Sequence, residues 1–228
     1  MKGSGIHVVI VAGGSGRRMK SEIPKQFLML GDAPLIIRSI RVFLEAFPAS
    51  PVIVAIHPGW KKEMESLRQK YLPGQDITLV EGGSTRFESV RNALAALPEA
   101  VRPVLIHDAV RPLLSPSLVK KVAAAVEANL GVIPAIAVKD SLRRVEGGKS
   151  YPLDRKSIVR VQTPQGFPLA ALKAAYKQAW SEAFTDDASV FEQAGGKIKI
   201  IEGEEKNIKI TTPADLEGAR LSIQNSGQ

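Results

Sequence analysis

The chain has 228 residues, no cysteine, and 31 Lys and Arg against 23 Asp and Glu, a formal net charge of +8. That length suits one domain with a small excursion, and the missing cysteines exclude disulfides, thiolate-held metals and a cysteine nucleophile. The charge balance favours anionic partners, and with aromatics at only 5% and no basic patch interleaved with stacking residues, small anions are expected rather than nucleic acid; with no ~20-residue apolar run and no signal-like start, no membrane partner and a cytoplasmic location are expected.

The first predicted strand, Val8–Val11, runs into Gly13-Gly14-Ser15-Gly16-Arg17-Arg18-Met19, with Pro24-Lys25-Gln26 close behind. Glycines let backbone N–H groups approach an anion closely, and Arg18 and Lys25 can add charge at phosphoryl oxygens. The segment is neither GxxxxGK[ST], because Gly16 precedes Arg17-Arg18, nor GxGxxG. A Gly-Gly-x-Gly alone reads equally well as a tight turn; the cations beside it point to phosphate.

Further strands are predicted at Val52–Ile56, Ile77–Val80, Val104–Ile106, Val132–Ile136 and Ile198–Ile201. Helices are predicted at Pro34–Phe47, Lys61–Lys70, Ser84–Ala96, Pro116–Ala128, Leu169–Glu182, Asp187–Ala194 and Pro213–Ile223, with Ser222–Gln228 a frayed tail. Ser115-Pro116 and Thr212-Pro213 read as an N-cap followed by proline at the first helical position. Near-continuous apolar strands alternating with helices imply an α/β fold with a mostly parallel central sheet covered on both faces. Ligands on such sheets sit beyond the strand C-termini. The glycine loop after Val11, Gly82-Gly83 after Val80 and His107-Asp108 after Ile106 all fall at that edge.

Residues 138–162 break the rhythm. Two alternating segments flank Glu146-Gly147-Gly148-Lys149, which reads as a β-hairpin arm leaving the main sheet. It is too small for a core of its own and must pack on the parent domain or on a second subunit, the latter being the preferred reading.

The chemistry-bearing residues form a set of cations, glycine loops and few carboxylates. Asp108 can hold Mg²⁺ or accept from a ligand hydroxyl, or simply cap a turn. Arg111 can bind a ligand or serve as a structural carboxylate partner. His107 reads as an orienting residue, and three scattered histidines make no zinc site. Gly82–Val90 places two glycines before a helix, where Ser84 could cap the helix, free N–H groups and Ser89 could read a base edge, and Arg86 could meet phosphate or brace the loop. Lys206–Ile210 alternates like a strand, putting Asn207 and Lys209 opposite Ile208 and Ile210. Thr185–Ser189 reads as a cap cluster that could also hold a second substrate. No Ser-His-acid pattern stands out. This constellation suits phosphoryl or nucleotidyl transfer, in which positioning and charge stabilisation dominate.

In order along the chain, AGGSGRRM (12–19), PKQ (24–26), GGSTRFESV (82–90), HDAVRP (107–112), VKD (138–140), QTPQGF (162–167), TDDAS (185–189) and NIKITTPADL (207–216) resemble the 2-C-methyl-D-erythritol 4-phosphate cytidylyltransferase family nearly end to end. The resemblance implies a single Rossmann-like nucleotidyltransferase domain over 1–228, a homodimer joined through the 138–162 arm, and transfer of CMP from CTP to 2-C-methyl-D-erythritol 4-phosphate with release of pyrophosphate. It implies Mg²⁺ or another divalent cation, held largely by CTP phosphates with Asp108. It assigns Arg18, Lys25 and Lys209 to catalysis. It gives nucleotide binding to Ala12, Gly13, Gly14, Ser15, Gly16, Arg17, Gly83, Ser84, Ser89 and Asp108. Acceptor binding falls on Asp108, Arg111, Arg155, Thr185 and Lys209, with Arg155 expected to reach the partner's site. Val110 stands where the family has Ala, and Ser84 where relatives vary. The alternatives are ribitol-5-phosphate cytidylyltransferase, a more distant sugar-1-phosphate nucleotidyltransferase, and a non-enzymatic nucleotide-binding module.

Overall fold

The structure, a computed structural model, describes residues 5–14, 23–98 and 103–224. In chain order the strands are β1 (His7–Ala12), β2 (Met29–Leu30), β3 (Ala33–Pro34), β4 (Val52–Ile56), β5 (Ile77–Glu81), β6 (Pro103–Asp108), β7 (Leu130–Ala137), β8 (Leu142–Glu146), β9 (Lys149–Leu153), β10 (Val159–Val161), β11 (Gln165–Pro168) and β12 (Lys197–Glu202). The helices are α1 (Leu35–Ala46), α2 (Lys61–Tyr71), α3 (Arg86–Ala95), α4 (Pro116–Ala125), α5 (Leu169–Ala175), α6 (Asp187–Gln193) and α7 (Pro213–Gln224).

One eight-stranded sheet carries the fold. Its central run β5-β4-β1-β6 is parallel throughout, and β11 then inserts antiparallel between β6 and β7. β12 pairs in parallel with β7, and β10 pairs antiparallel with the end of β7. The sheet is thus mixed, with a parallel majority and a Rossmann-like order. The reversed strand β11 does not stand out in the sequence: it is short, contains Gly166 and ends at Pro168.

The apolar runs are continuous because both faces are covered. Along β1, Val8 and Ile10 pack with Ile36, Ile40 and Phe43 of α1, while Val9 packs with Phe87, Val90 and Leu94 of α3 on the other side. A third cluster joins Leu30, Leu35, Val110 and Ile210 to Leu216 and Ala219 of α7. It carries the 206–212 segment to the C-terminal edge of the sheet.

The two proline-marked helix starts are as expected. Ser115 Oγ accepts from Leu118 N–H, and Thr212 Oγ1 accepts from Asp215 N–H. Three predicted helices differ. α5 stops at Ala175 rather than Glu182, because Lys177 and Gln178 close with tighter bonds, to Ala174 O and Ala175 O, and the Gln178 side chain turns to Ala175 O and Val190 O. α4 ends at Ala125, where Val126 turns extended and Glu127 bridges Leu130. α7 runs on through Ser222 to Gln224, so residues 222–224 of the expected frayed tail are helical, and the rest of it lies outside the described residues.

β8 and β9 form the expected hairpin apart from the main sheet, but the arm is shorter than 138–162, since Val159–Val161 is β10, paired with β7 in the main sheet. Gly147 and Gly148 both have positive φ, 54° and 75°, the backbone a two-residue turn of this twist requires. The arm leaves Val145 69% and Tyr151 43% exposed. Among the described residues no helix is long and apolar enough to cross a membrane.

Candidate active site

A cleft of about 650 Å³ opens at the C-terminal edge of β1, β4 and β6. Ala12, Gly13 and Gly14 form its floor beside the end of β1, Gly83, Ser84 and Ser89 one wall, and Lys25, Asp108 and Lys209 the other. Ser15, Gly16, Arg17 and Arg18 lie outside the described residues.

Lys25 lies in a single 3₁₀ turn, Lys25–Phe27, between Pro24 and Leu28. Its neighbours Gln26 and Phe27 are buried, and Gln26 Nε2 donates to Ala12 O at 2.7 Å, tying this turn to the end of β1. The Lys25 ammonium donates to Ile210 O at 3.2 Å. Lys209 is placed from the other side. Ile210 is buried in the third cluster and its N–H bonds Val110 O at 2.9 Å, while Asn207 Nδ2 donates to Thr163 O at 2.8 Å. The 206–210 segment is therefore an anchored loop rather than a strand. Asn207 and Ile210, expected on opposite faces, are both fully buried, so the expected alternation fails. Lys209 projects, and its Nζ lies 2.9 Å from Asp108 Oδ2.

Asp108 is the electrostatic hub. Besides Lys209, Arg86 Nε lies 3.5 Å from Oδ1 and Arg111 Nε 3.5 Å from Oδ2. Burial alone would raise its pKa, but Arg86, Lys209 and Arg111 outweigh burial and hold the carboxyl well below the usual range. The Asp108 N–H donates to Thr163 Oγ1, which also meets His107 Nδ1 at 2.9 Å. His107 Nε2 lies 3.2 Å from Arg111 O. His107 therefore orients the β6 edge from behind, fully buried, and does not line the cleft.

Burial drops the His107 pKa to about 3, with Asp108 opposing and Arg111 reinforcing the shift. The sign follows directly. Between about 3 and the unfolded value near 6.5, the unfolded chain holds a proton here that the folded one refuses. Stability is then full above about pH 6.5 and falls by roughly 1.4 kcal/mol per pH unit as the pH drops through that window. His107→Gln is expected to flatten the loss of urea midpoint between pH 6.5 and 4.5; parallel slopes in variant and parent would contradict it.

Arg86 braces rather than reaching for a ligand. Its guanidinium makes two bonds to the buried Asp187, 2.9 Å to Oδ1 and 2.6 Å to Oδ2, joining α3 to the start of α6. Burial opposes its charge, yet Asp187 and Asp108 outweigh that and push its pKa well above the usual value. Arg111 is likewise engaged, donating to Asn207 O at 2.9 Å and Val161 O at 3.4 Å as well as facing Asp108. Neither the Arg86–Asp187 pair nor the Asn207 anchor is apparent from local pattern, since their partners lie far apart in sequence.

The 82–89 loop is held by its own hydrogen bonds. The cap of α3 is Thr85, not Ser84: Thr85 Oγ1 accepts from Glu88 N–H, and Glu88 reaches back to Ser84 and Thr85 N–H. These contacts, led by the Ser84 hydroxyl, lower the Glu88 pKa. Ser89 Oγ accepts from Gly83 N–H and donates to Thr85 O. The N–H groups expected to be free for a base edge are thus spent inside the loop. Gly83 is required sterically, for a Cβ there would fall 2.2 Å from Glu88 Cβ, and one at Gly13 would fall 2.9 Å from Ser89 Oγ. Val110 belongs to the third cluster and also lines the cleft.

Thr185 and Arg155 are exposed and do not line this cleft. Thr185 immediately precedes Asp186, the cap of α6, and Arg155 starts a 3₁₀ turn at the base of the arm and donates to Lys139 O. Sequence reading did not single out His57, which does line the cleft.

Among the described residues no three His, Asp or Glu side chains converge as a metal site. Asp108 is the carboxylate among the residues lining the cleft. Asp108 is the residue that would hold a divalent cation entering with a ligand's phosphates, which would supply charge neutralisation there.

A largely parallel sheet whose C-terminal edge carries a glycine pair, two lysines and one carboxylate is the site of an α/β enzyme of phosphoryl or nucleotidyl transfer. The family model IspD, 2-C-methyl-D-erythritol 4-phosphate cytidylyltransferase, matches residues 6–225. The chain is 39% identical over 218 residues to the 2-C-methyl-D-erythritol 4-phosphate cytidylyltransferase of Phocaeicola vulgatus, covering 95% of this chain and 99% of that one. The Geobacillus thermodenitrificans enzyme of the same name is 36% identical, with 91% and 92% covered. The structure of 4-diphosphocytidyl-2C-methyl-D-erythritol synthase from Anaerococcus prevotii superposes with a TM-score of 0.82 at 29% identity, covering 96% of each chain. The chain belongs to the 2-C-methyl-D-erythritol 4-phosphate cytidylyltransferase family.

Proposed function

We propose that the chain carries out the reaction of its family in this cleft: transfer of CMP from CTP to 2-C-methyl-D-erythritol 4-phosphate, giving 4-diphosphocytidyl-2-C-methyl-D-erythritol and pyrophosphate. The observation that carries the reading is the convergence of Lys25 and Lys209 on the Asp108 edge, beside the glycine turn after β1. A non-bridging oxygen of the acceptor phosphate forms the new bond at the α-phosphorus. The bond to the α–β bridging oxygen breaks, and pyrophosphate leaves with its electron pair. The nucleophile is already ionised, so no residue need act as a base, and no covalent enzyme intermediate forms.

The chain's own residues position and neutralise. Lys25 and Lys209 bring ammonium groups to the phosphoryl oxygens, where fixed charge is worth most in a partly dry site. Arg18 and the N–H groups of 13–17 are assigned to the triphosphate, and Gly83, Ser84 and Ser89 shape the wall for the base. Asp108 holds Lys209 and accepts from the sugar. Arg111 supports Asp108, and the resemblance to the family, not the lining of this cleft, assigns Thr185 and Arg155 to the acceptor, Arg155 in the partner's site. Mg²⁺, entering with CTP on Asp108, would supply further neutralisation of the phosphates. The test is Mg²⁺-dependent pyrophosphate release from CTP, run with 2-C-methyl-D-erythritol 4-phosphate and with ribitol 5-phosphate. Turnover of the branched acceptor supports the reading; turnover of ribitol 5-phosphate alone, or of neither, overturns it.

A homodimer through the 138–162 arm belongs to the same proposal. The arm's exposed Val145, Tyr151 and Leu153 need a covering surface, and Arg155 at its base has no role in its own cleft. Val145→Lys combined with Tyr151→Lys is expected to halve the mass seen by sedimentation equilibrium and to lower activity. An unchanged mass would refute the arm as the interface.

A further inference from the structure

We propose that His57 is a binding residue for the nucleoside end of the substrate, its Nε2–H donating to the acceptor edge of the pyrimidine. The inference rests on the cytidylyltransferase reading of the cleft. His57 directly follows β4, and β4 lies between β1 and β5 in the sheet. The side chain therefore stands between the Gly13–Gly14 turn and the Gly82–Thr85 loop, across β1 from Asp108 and Lys209. It lines the cleft with Gly13, Gly14, Gly83 and Ser84.

Two observations give the ring a direction. Gly59 N–H donates to His57 Nδ1 at 3.1 Å, so the ring hydrogen is carried on Nε2. A Cβ at Gly59 would fall 3.2 Å from that same Nδ1, so the glycine is what lets the ring lie back over this turn. The ring is thus held at one nitrogen and offers a donor at the other.

The opposite wall lacks donors of its own. Gly82 N–H is spent on Ile56 O, Gly83 N–H on Ser89 Oγ, and Ser84 and Thr85 N–H on Glu88. The Ser84 and Ser89 hydroxyls donate to Glu88 and to Thr85 O. This loop can offer carbonyl oxygens to an amino group, but its donors are already used. Cytosine presents one amino donor and two acceptors, N3 and O2. The acceptors need a donor from another wall, and His57 supplies one.

The test compares the parent with His57→Phe and His57→Asn under saturating 2-C-methyl-D-erythritol 4-phosphate. Phe keeps a ring without a donor; Asn keeps an acceptor for Gly59 N–H but has a shorter reach. Both are expected to raise KM for CTP roughly 3- to 10-fold, the worth of one neutral hydrogen bond, with the loss falling on KM rather than kcat. Inhibition by inorganic tripolyphosphate, which has no base, is expected to stay at the parent's value. An unmoved KM in both variants overturns the proposal, as does a rise confined to His57→Phe, which would mark His57 as a turn cap only. Weakened tripolyphosphate inhibition also overturns it, by moving the contact to the phosphates. A parent enzyme that releases no pyrophosphate from CTP overturns the cytidylyltransferase reading instead.

Discussion

Lys25→Ala is expected to lower kcat for pyrophosphate release about 100- to 1000-fold, the usual cost of removing one preorganised group that stabilises developing charge. The physical reason is placement. Lys25 follows Pro24 and precedes two buried residues, and its turn is bonded to the end of β1 through Gln26. The ammonium is therefore delivered to the cleft by rigid backbone, and little ordering remains to be done during the reaction. Its hydrogen bond to Ile210 O is a modest contribution to stability. The melting temperature should accordingly move by no more than about 4 °C, the scale of a 1 kcal/mol change in a chain of this size. A variant that turns over at nearly the parent rate would remove Lys25 from the catalytic set.

The largest effect on stability is expected from Asp187→Ala. Asp187 is fully buried and carries both guanidinium bonds of Arg86 together with the hydroxyl of Tyr176. The Asp187 and Ala188 N–H groups meanwhile bond Gln165 Oε1 of β11. Removing the carboxylate strands a guanidinium and a phenol, a change that costs about 3–5 kcal/mol when one partner of a buried pair is lost. For a chain of this length that corresponds to roughly 6–20 °C in melting temperature. Arg86 would be left facing Asp108 alone, so activity should fall along with stability. Thermal unfolding followed by circular dichroism decides it: a drop below about 3 °C would show that this cross-link contributes little.

These two residues also mark what could be read in advance. Lys25 was legible because its signal is local: a cation set between proline and a buried turn, shortly after a glycine loop. The same holds for β1, β4 and β6, whose apolar runs are unbroken because they are buried on both faces, for the caps at Ser115 and Thr212, and for the Gly147-Gly148 turn. The Arg86–Asp187 pair gives no local signal, for its partners are 101 residues apart. Asn207 was placed on a strand face opposite Ile210 because alternation carries no information about a side chain that bonds Thr163 across the fold. α5 was overextended for a similar reason: its helical composition continues past Ala175, while Tyr176 and Gln178 are drawn to α6. His57 was passed over because nothing beside it in sequence marks it, and only the order of strands brings it to the cleft.

The reversed strand β11 has a consequence for how the molecule is made. It lies between β6 and β7, pairing with Pro103–Ile106 on one side and with Val132 on the other. The two portions of the sheet cannot join until residues 165–168 have been threaded between strands formed much earlier in the chain. Such non-local pairing is slow, since loop closure must come before its contacts repay it. The same strand starts at Gln165, which holds the first turn of α6 and hence the partner of Arg86. The seam that β11 fills is then also the one that locks the wall of the cleft, so the amides of 165–168 and those of Asp187 and Ala188 should become protected from hydrogen exchange together, as one cooperative unit.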